Sequence, residues 1–157
     1  MTYNSKQIQD AVSTVHLNSQ RQAKRNETTN YANGDINFIG DCCFAYGAIT
    51  NATNAWKVMI SFNSGPNFLK GIAQLQGLCD LSEPSATNGY NSVWRISFNG
   101  VNVFTTKTET HQEDSPPVVD CPLIIPPFTK VSIDRFDEGA STARQAGASF
   151  TGKVYAG

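Results

Sequence analysis

Hydrophobic and polar positions alternate in several stretches of the chain after residue 36, with the period of two that is typical of half-buried β-strands. Residues 92–106 (SVWRISFNGVNVFTT) give the clearest example, because two alternating runs flank Asn99-Gly100. An Asn-Gly pair adopts the positive φ angles of a type I′ turn, whose twist matches that of paired strands. This stretch therefore predicts a β-hairpin, with Trp94 on its apolar face.

Residues 55–63 (AWKVMISFN) predict a second half-buried strand. Strict alternation places four apolar side chains on one face, opposite Lys57, Met59 and Ser61. We therefore expect the apolar face to lie in the core. Its members are Trp56, Val58, Ile60 and Phe62.

Several further stretches are rich in β-forming residues. Residues 36–40 (INFIG) and 42–50 (CCFAYGAIT) predict strands, and 148–157 (ASFTGKVYAG) predict a final strand. Residues 68–81 (FLKGIAQLQGLCDL) are compatible with a short helix, but their two glycines favour an irregular strand. We expect residues 107–117 to form a polar loop.

Three prolines lie among four large apolar residues at the start of residues 121–136 (CPLIIPPFTKVSIDRF). Pro122 precedes an apolar strand piece, and Pro126-Pro127 interrupts that piece, because proline cannot donate to a central ladder. Alternation resumes afterwards, with Phe128 predicted on the same face as Val131 and Ile133. The stretch predicts an apolar segment that crosses between two sheets at a rigid bend, or lies at a sheet edge.

Residues 5–24 show the one convincing helical periodicity, with a thin apolar stripe at spacings of three and four. Such a helix is marginal alone in water, so we expect it to lie on another surface. Residues 26–35 read as a linker or ordered loop. The domain prediction is an N-terminal helical arm and linker over 1–30 and a β-domain over 31–157. The candidate partner-binding residues of the arm are Ile8, Val12, Val15, Arg21, Lys24 and Arg25.

Together these elements predict a mainly β protein. We expect a jelly roll or β-sandwich of about seven to nine short antiparallel strands, preceded by a short N-terminal helix.

Charge is unevenly distributed along the 157 residues, of which only 16% are charged. Residues 1–26 carry four basic and one acidic side chain, whereas the remainder is acidic, so the net charge is −1. The basic arm could contact a neighbour's acidic surface, or could be a solvated helix end. We do not expect nucleic-acid binding, since no aromatic residues interleave with the basic ones. No stretch has the length of a membrane span.

Chemistry-bearing residues form no recognisable catalytic or metal-binding motif. The sequence lacks a Gly-x-Ser-x-Gly element, a phosphate loop and a dinucleotide fingerprint. His111 lies among acidic residues, which we interpret as a solvated loop, and His16 as a packing residue of the helix. We expect no enzyme activity, no cofactor and no metal. The four cysteines lack metal-ligand spacing and are predicted to be buried free thiols: Cys42, Cys43, Cys79 and Cys121.

Three features together carry a resemblance: the amphipathic arm, residues 122–133 (PLIIPPFTKVSI) and residues 149–157 (SFTGKVYAG). The chain resembles the small jelly-roll or β-sandwich virion proteins of tailed bacteriophages, over about its last 65 residues and its general layout. The Cys42-Cys43 stretch is not part of that pattern.

The resemblance implies a non-enzymatic decoration or cement protein of the capsid. Such a protein would be assembled in the host cytoplasm, reside in the virion and bind the major capsid protein or other virion proteins, as a homo-oligomer with a trimer favoured. A tail, adaptor or fibre component is the alternative within the same class. A carbohydrate-binding module with Trp56 and Trp94 as its platform is the rival from another class, and an unrecognised hydrolase comes last.

Overall fold

The computed structural model describes residues 35–51, 54–80, 90–110, 117–138 and 144–156. The predicted helix over 5–24 and the linker after it lie outside these residues. No helix in the described part of the chain has the length and hydropathy that crossing a membrane would require.

The described residues form ten β-strands, eight of which have five residues or more. The strands are β1 (Asn37–Ile39), β2 (Cys42–Tyr46), β3 (Thr50–Asn51), β4 (Lys57–Asn63), β5 (Asn67–Asp80), β6 (Tyr90–Phe98), β7 (Val101–Thr110), β8 (Val118–Ile125), β9 (Lys130–Glu138) and β10 (Arg144–Ala156).

Two antiparallel sheets contain all of these strands. Sheet A has the order β1-β2-β10-β5-β8, with β3 also paired to β10, and sheet B has the order β4-β9-β6-β7. Their inner faces share one apolar core, so the protein is a β-sandwich. The predicted mainly β fold is therefore confirmed.

The strand pairs are nested along the chain. The β6–β7 hairpin is innermost, β5 pairs with β8 outside it, β4 pairs with β9, and β2 and β3 pair with β10. Successive nested pairs lie alternately in sheets B and A. The chain thus behaves as one long antiparallel ribbon whose strand pairs alternate between the two layers of the sandwich.

Local signals in the sequence account for two of the connections. Asn99 and Gly100 both have positive φ, 50° and 82°, as the predicted type I′ hairpin requires. The proline-rich stretch joins β8, at the edge of sheet A, to β9 in sheet B. Pro122 lies within that edge strand rather than ahead of it, and an edge strand tolerates proline because one of its sides is unpaired. The predicted hairpin and the predicted crossing between sheets are confirmed.

The prediction that Trp56 lies in the core is wrong. The β4–β9 register shifts between Val58 and Ile60, so that Met59 and Ile60 are both buried. Such a bulge inserts one residue and reverses the alternation before it. Trp56 and Val58 consequently face solvent with 46% and 59% of their surfaces exposed.

Two smaller predictions also need correction. Phe128 does not share a face with Val131, because it lies in the turn after Pro127 with φ of 55° and is 76% exposed. Residues 107–110 belong to β7 rather than to a loop. The predicted strand over 68–81 is confirmed as β5, which pairs with β10 along most of its length and with β8 over residues 69–76.

Candidate functional site

A polar cluster lies buried between the sheets, around Arg135 and Asp137. Arg135 Nη2 donates to Asp137 Oδ2 at 3.0 Å and to the carbonyl oxygens of Thr50 and Asn51 at 3.2 and 2.8 Å. Ser92 Oγ donates to Asp137 Oδ1 at 2.7 Å. Burial lowers the pKa of Arg135, and Asp137 acts in the opposite direction. Since both charged side chains are fully enclosed, the cluster serves the fold and cannot meet a substrate.

The outer face of sheet A carries an apolar row that crosses four strands. Phe44 of β2, Thr151 of β10, Ile72 of β5 and Pro122 of β8 lie opposite one another in register. Other exposed apolar side chains surround this row, and the ring of Phe44 lies 5.5 Å from that of Tyr46. The exposed neighbours are Ile39, Tyr46, Phe68, Ile124 and Tyr155.

Two lysines lie within this apolar surface. Lys70 and Lys153 are direct cross-strand partners on β5 and β10, and Lys70 also faces Ile124. Like charges placed opposite each other destabilise a sheet. Among the described residues neither lysine has an ion-pair partner, so the outer face of sheet A combines apolar area with unneutralised positive charge.

The outer face of sheet B carries a polar groove. Ser61, Ser132, Ser97 and Asn102 are opposite one another on β4, β9, β6 and β7, and their small side chains leave a depression of about 420 Å³. Lys130 and Gly100 line one side of the groove, and the other side is lined by Val58, Asp134 and Arg95.

Trp56 lies next to this groove and packs against Arg95, one of the residues that line it. The Arg95 guanidinium lies 4.1 Å from the centre of the Trp56 ring, and the Phe136 ring centre lies 5.7 Å away. Arg95 Nε and Nη2 donate to Asp134 Oδ2 at 3.2 and 3.0 Å, while Ser132 Oγ donates to Asp134 Oδ1 at 2.6 Å. The groove thus combines an exposed indole with a carboxylate and a guanidinium whose orientations are set by each other.

The six candidate residues of the N-terminal arm all lie outside the described residues, so their predicted role in partner binding stays a prediction. They are Ile8, Val12, Val15, Arg21, Lys24 and Arg25. His16 and His111 also lie outside. Within the described ranges no group of three or more His, Cys, Asp or Glu side chains is placed to hold a metal ion.

The cysteines only partly match their prediction. Cys43 and Cys121 are buried free thiols, whereas Cys42 is free but exposed. Burial, with a smaller contribution from Cys42, raises the pKa of Cys43 to about 11, and burial also raises the pKa of Cys121. The side chain of Cys79 lies outside the described set. Because a raised pKa keeps a thiol protonated at neutral pH, neither buried cysteine is suited to act as a nucleophile.

Sequence reasoning missed the groove, although part of its signal was present. Ser61, Ser97 and Ser132 occupy polar positions of alternating runs, which already indicates an outer face. What the sequence does not contain is the cross-strand register that brings these serines together. The outward position of Trp56 was hidden by the bulge at Met59.

No family model matches this chain, and no curated protein sequence matches it either.

Proposed function

We propose that this protein is a non-enzymatic structural component of a bacteriophage virion, a decoration or cement protein that binds the capsid shell. The observation that supports this proposal is the outer face of sheet A. Contiguous exposed apolar surface of this kind marks sites of protein–protein contact. Arg135 and Asp137 are enclosed, and among the described residues no group of His, Cys, Asp or Glu side chains is placed to hold a metal ion.

The nested strand pairs support a jelly-roll topology for the sandwich. A jelly roll is a double-sheet arrangement of eight strands, and it occurs in viral capsid and lectin domains. Here eight strands of five or more residues are divided equally between the sheets, in the orders β2-β10-β5-β8 and β4-β9-β6-β7. Fold alone does not determine function, so this topology agrees with a virion role and does not establish it.

The composition of the sheet A surface defines the partner's chemistry. Lys70 and Lys153 lack acidic partners among the described residues, so a bound surface that supplies carboxylates would relieve their repulsion. Ile72 and Ile124 require apolar area on the same partner. The proposed partner is therefore a shell protein with an acidic, partly apolar surface, most simply the major capsid protein.

Binding to purified virus particles tests this surface. The chain is labelled and mixed with particles, separated into heads and tails, of the virus that encodes it. The Ile124→Asp variant should lose binding to heads, whereas Val101→Asp, which alters an equally exposed apolar residue of sheet B, should bind normally. Normal binding of the Ile124→Asp variant would refute the proposal that sheet A binds the shell. Binding confined to tails would instead support a tail or adaptor protein.

Oligomeric state and the role of the arm need a separate measurement. We propose a trimer in which residues 1–30 of each subunit bind neighbouring proteins through the apolar stripe and the basic residues of this arm. Native mass spectrometry of the full chain and of a chain lacking residues 1–30 tests both points. A trimer that dissociates on deletion assigns subunit contacts to the arm, and a trimer that persists assigns them to the β-domain. A monomer in both cases would contradict the trimer.

A further inference from the structure

The groove on the outer face of sheet B has features that protein–protein contact through sheet A does not explain. It lies on the opposite side of the sandwich from Ile72 and Ile124. Its floor is a row of hydroxyl-bearing side chains rather than apolar ones, namely those of Ser61, Ser97 and Ser132. It crosses four strands, so it presents an extended polar strip to a ligand.

We propose that this groove binds a neutral oligosaccharide. A sugar ring has an apolar face of C–H groups and an edge of hydroxyls, and a site for it therefore needs an aromatic surface beside planar polar groups. Trp56 supplies the aromatic surface, since 46% of it remains exposed while Arg95 holds its ring from one side. Tryptophan suits such a ligand because it combines a large apolar ring with one N–H donor.

The polar groups of the groove are preorganised for hydroxyls. The Asp134 carboxylate accepts three hydrogen bonds, two from Arg95 and one from Ser132, so its orientation is set before a ligand arrives. A group that is already oriented loses little conformational entropy on binding. The Arg95 side chain, about a third of which is exposed, has further N–H donors for the hydroxyls of a sugar, while the largely buried Asp134 fixes its orientation.

The groove offers an anion little bidentate recognition. Arg95 and Asp134 neutralise each other through a 3.0 Å ion pair, and among the described residues Lys130 is the one other charged side chain that lines the groove. A phosphate or an acidic glycan would have to displace Asp134 from Arg95 to gain a bidentate partner. A hydroxyl needs no such exchange, because it can accept a hydrogen bond from Arg95 while the pair stays intact.

Calorimetric titration of the full-length protein with defined sugars tests the proposal. The panel is maltohexaose, cellohexaose, chitohexaose and mannohexaose, with heparin and polygalacturonate as acidic probes. We expect saturable binding of at least one neutral hexaose, with a matching change in fluorescence. The chain contains only two tryptophans, and Trp94 is buried, so the change reports on Trp56.

Two substitutions place the binding in the groove. Trp56→Ala should weaken binding by about tenfold or more, the loss expected for a stacking contact. Ser61→Phe should abolish it by filling the floor. Thr151→Phe, which adds the same ring on the outer face of sheet A, should bind the sugar like the unaltered protein. Thermal unfolding of each variant checks that it is folded.

The following results would overturn the proposal. They are no binding of any neutral hexaose at millimolar concentration, unchanged binding by Trp56→Ala, and binding restricted to heparin or polygalacturonate and lost at high salt. None of these outcomes depends on whether sheet A contacts a capsid, since the sugar titration needs no particle.

Discussion

Arg135 and Asp137 form an ion pair 3.0 Å long in which neither side chain is exposed to solvent. The pair joins sheet B to sheet A, because Arg135 of β9 also donates to the carbonyl oxygens of Thr50 and Asn51 on β3. Among the described residues Arg135 Nε and Nη1 find no acceptor, although Trp94 lies 6.0 Å from the guanidinium. The stability of the folded protein should therefore depend strongly on the Asp137 carboxylate, which balances the charge of the buried Arg135.

Removing that carboxylate should be costly. Asp137→Asn leaves the buried guanidinium without its counter-charge, and breaking a buried pair in this way typically costs about 3–5 kcal/mol. Urea unfolding followed by circular dichroism measures the loss. Glu138→Asn, one residue away, removes the exposed partner of Lys107 and should leave the midpoint unchanged. Equal midpoints for the two variants would show that the buried pair contributes nothing.

The two tryptophans should differ in their effect on stability. Trp94 is fully buried and donates to Thr108 Oγ1 at 3.3 Å, so Trp94→Ala should cost about 3–5 kcal/mol in unfolding free energy. Trp56→Ala removes an exposed contact with Arg95 and should cost less than about 1 kcal/mol. Thermal or urea unfolding of both variants tests this. A large loss from Trp56→Ala would contradict its outward position.

Gly71 makes room for the core on the inner face of sheet A. A Cβ there would lie 2.8 Å from Phe150 Cζ and closer still to the carbonyl oxygen of Thr151. Because backbone cannot yield cheaply, Gly71→Ala should destabilise the protein by about 1–3 kcal/mol.

Gly147 offers the matched control on β10. A Cβ at Gly147 would find its nearest neighbour, Ile49 Cγ1, at 3.7 Å, which is ordinary contact. Gly147→Ala should therefore leave stability unchanged or raise it by up to about 1 kcal/mol, since alanine restricts the unfolded chain. The difference between the two unfolding midpoints is the measurement. No difference would mean that β5 and β10 can separate to admit a methyl group.

The Cys43 thiol should make stability fall at alkaline pH. Its pKa is about 11 in the folded protein against an ordinary value of 9.0, so folding favours the protonated form. Its contribution is complete below pH 9 and is lost as the pH rises toward 11. Urea unfolding at several pH values should show this decline, and Cys43→Ala should show a shallower one.

Thiol labelling provides an independent check on the cysteines. At neutral pH the exposed Cys42 should react with iodoacetamide in the native protein, whereas Cys43 and Cys121 should react only after unfolding. Mass spectrometry of labelled peptides identifies the modified positions. Rapid labelling of Cys43 in the folded protein would contradict its burial.

Much of the strand content follows from the sequence, since it depends on neighbours along the chain. The period of two predicts β6 and β7, and β-forming residues predict β10. Asn99-Gly100 predicts the hairpin, because backbone sterics alone select the turn. The proline-rich stretch likewise predicts a crossing between sheets or a sheet edge, because proline lacks an N–H wherever it lies. These predictions are confirmed.

Tertiary structure decided which face of each strand is buried and which strands meet. The bulge at Met59 turns Trp56 outward, and it exists only where β4 pairs with β9, so no local pattern reveals it. The serine row of sheet B and the paired lysines of sheet A are likewise products of register between strands distant in sequence. Alternation determines that a side chain faces outward, whereas pairing across the sheet determines what lies beside it. Both proposed binding surfaces of this protein depend on this pairing of strands across each sheet.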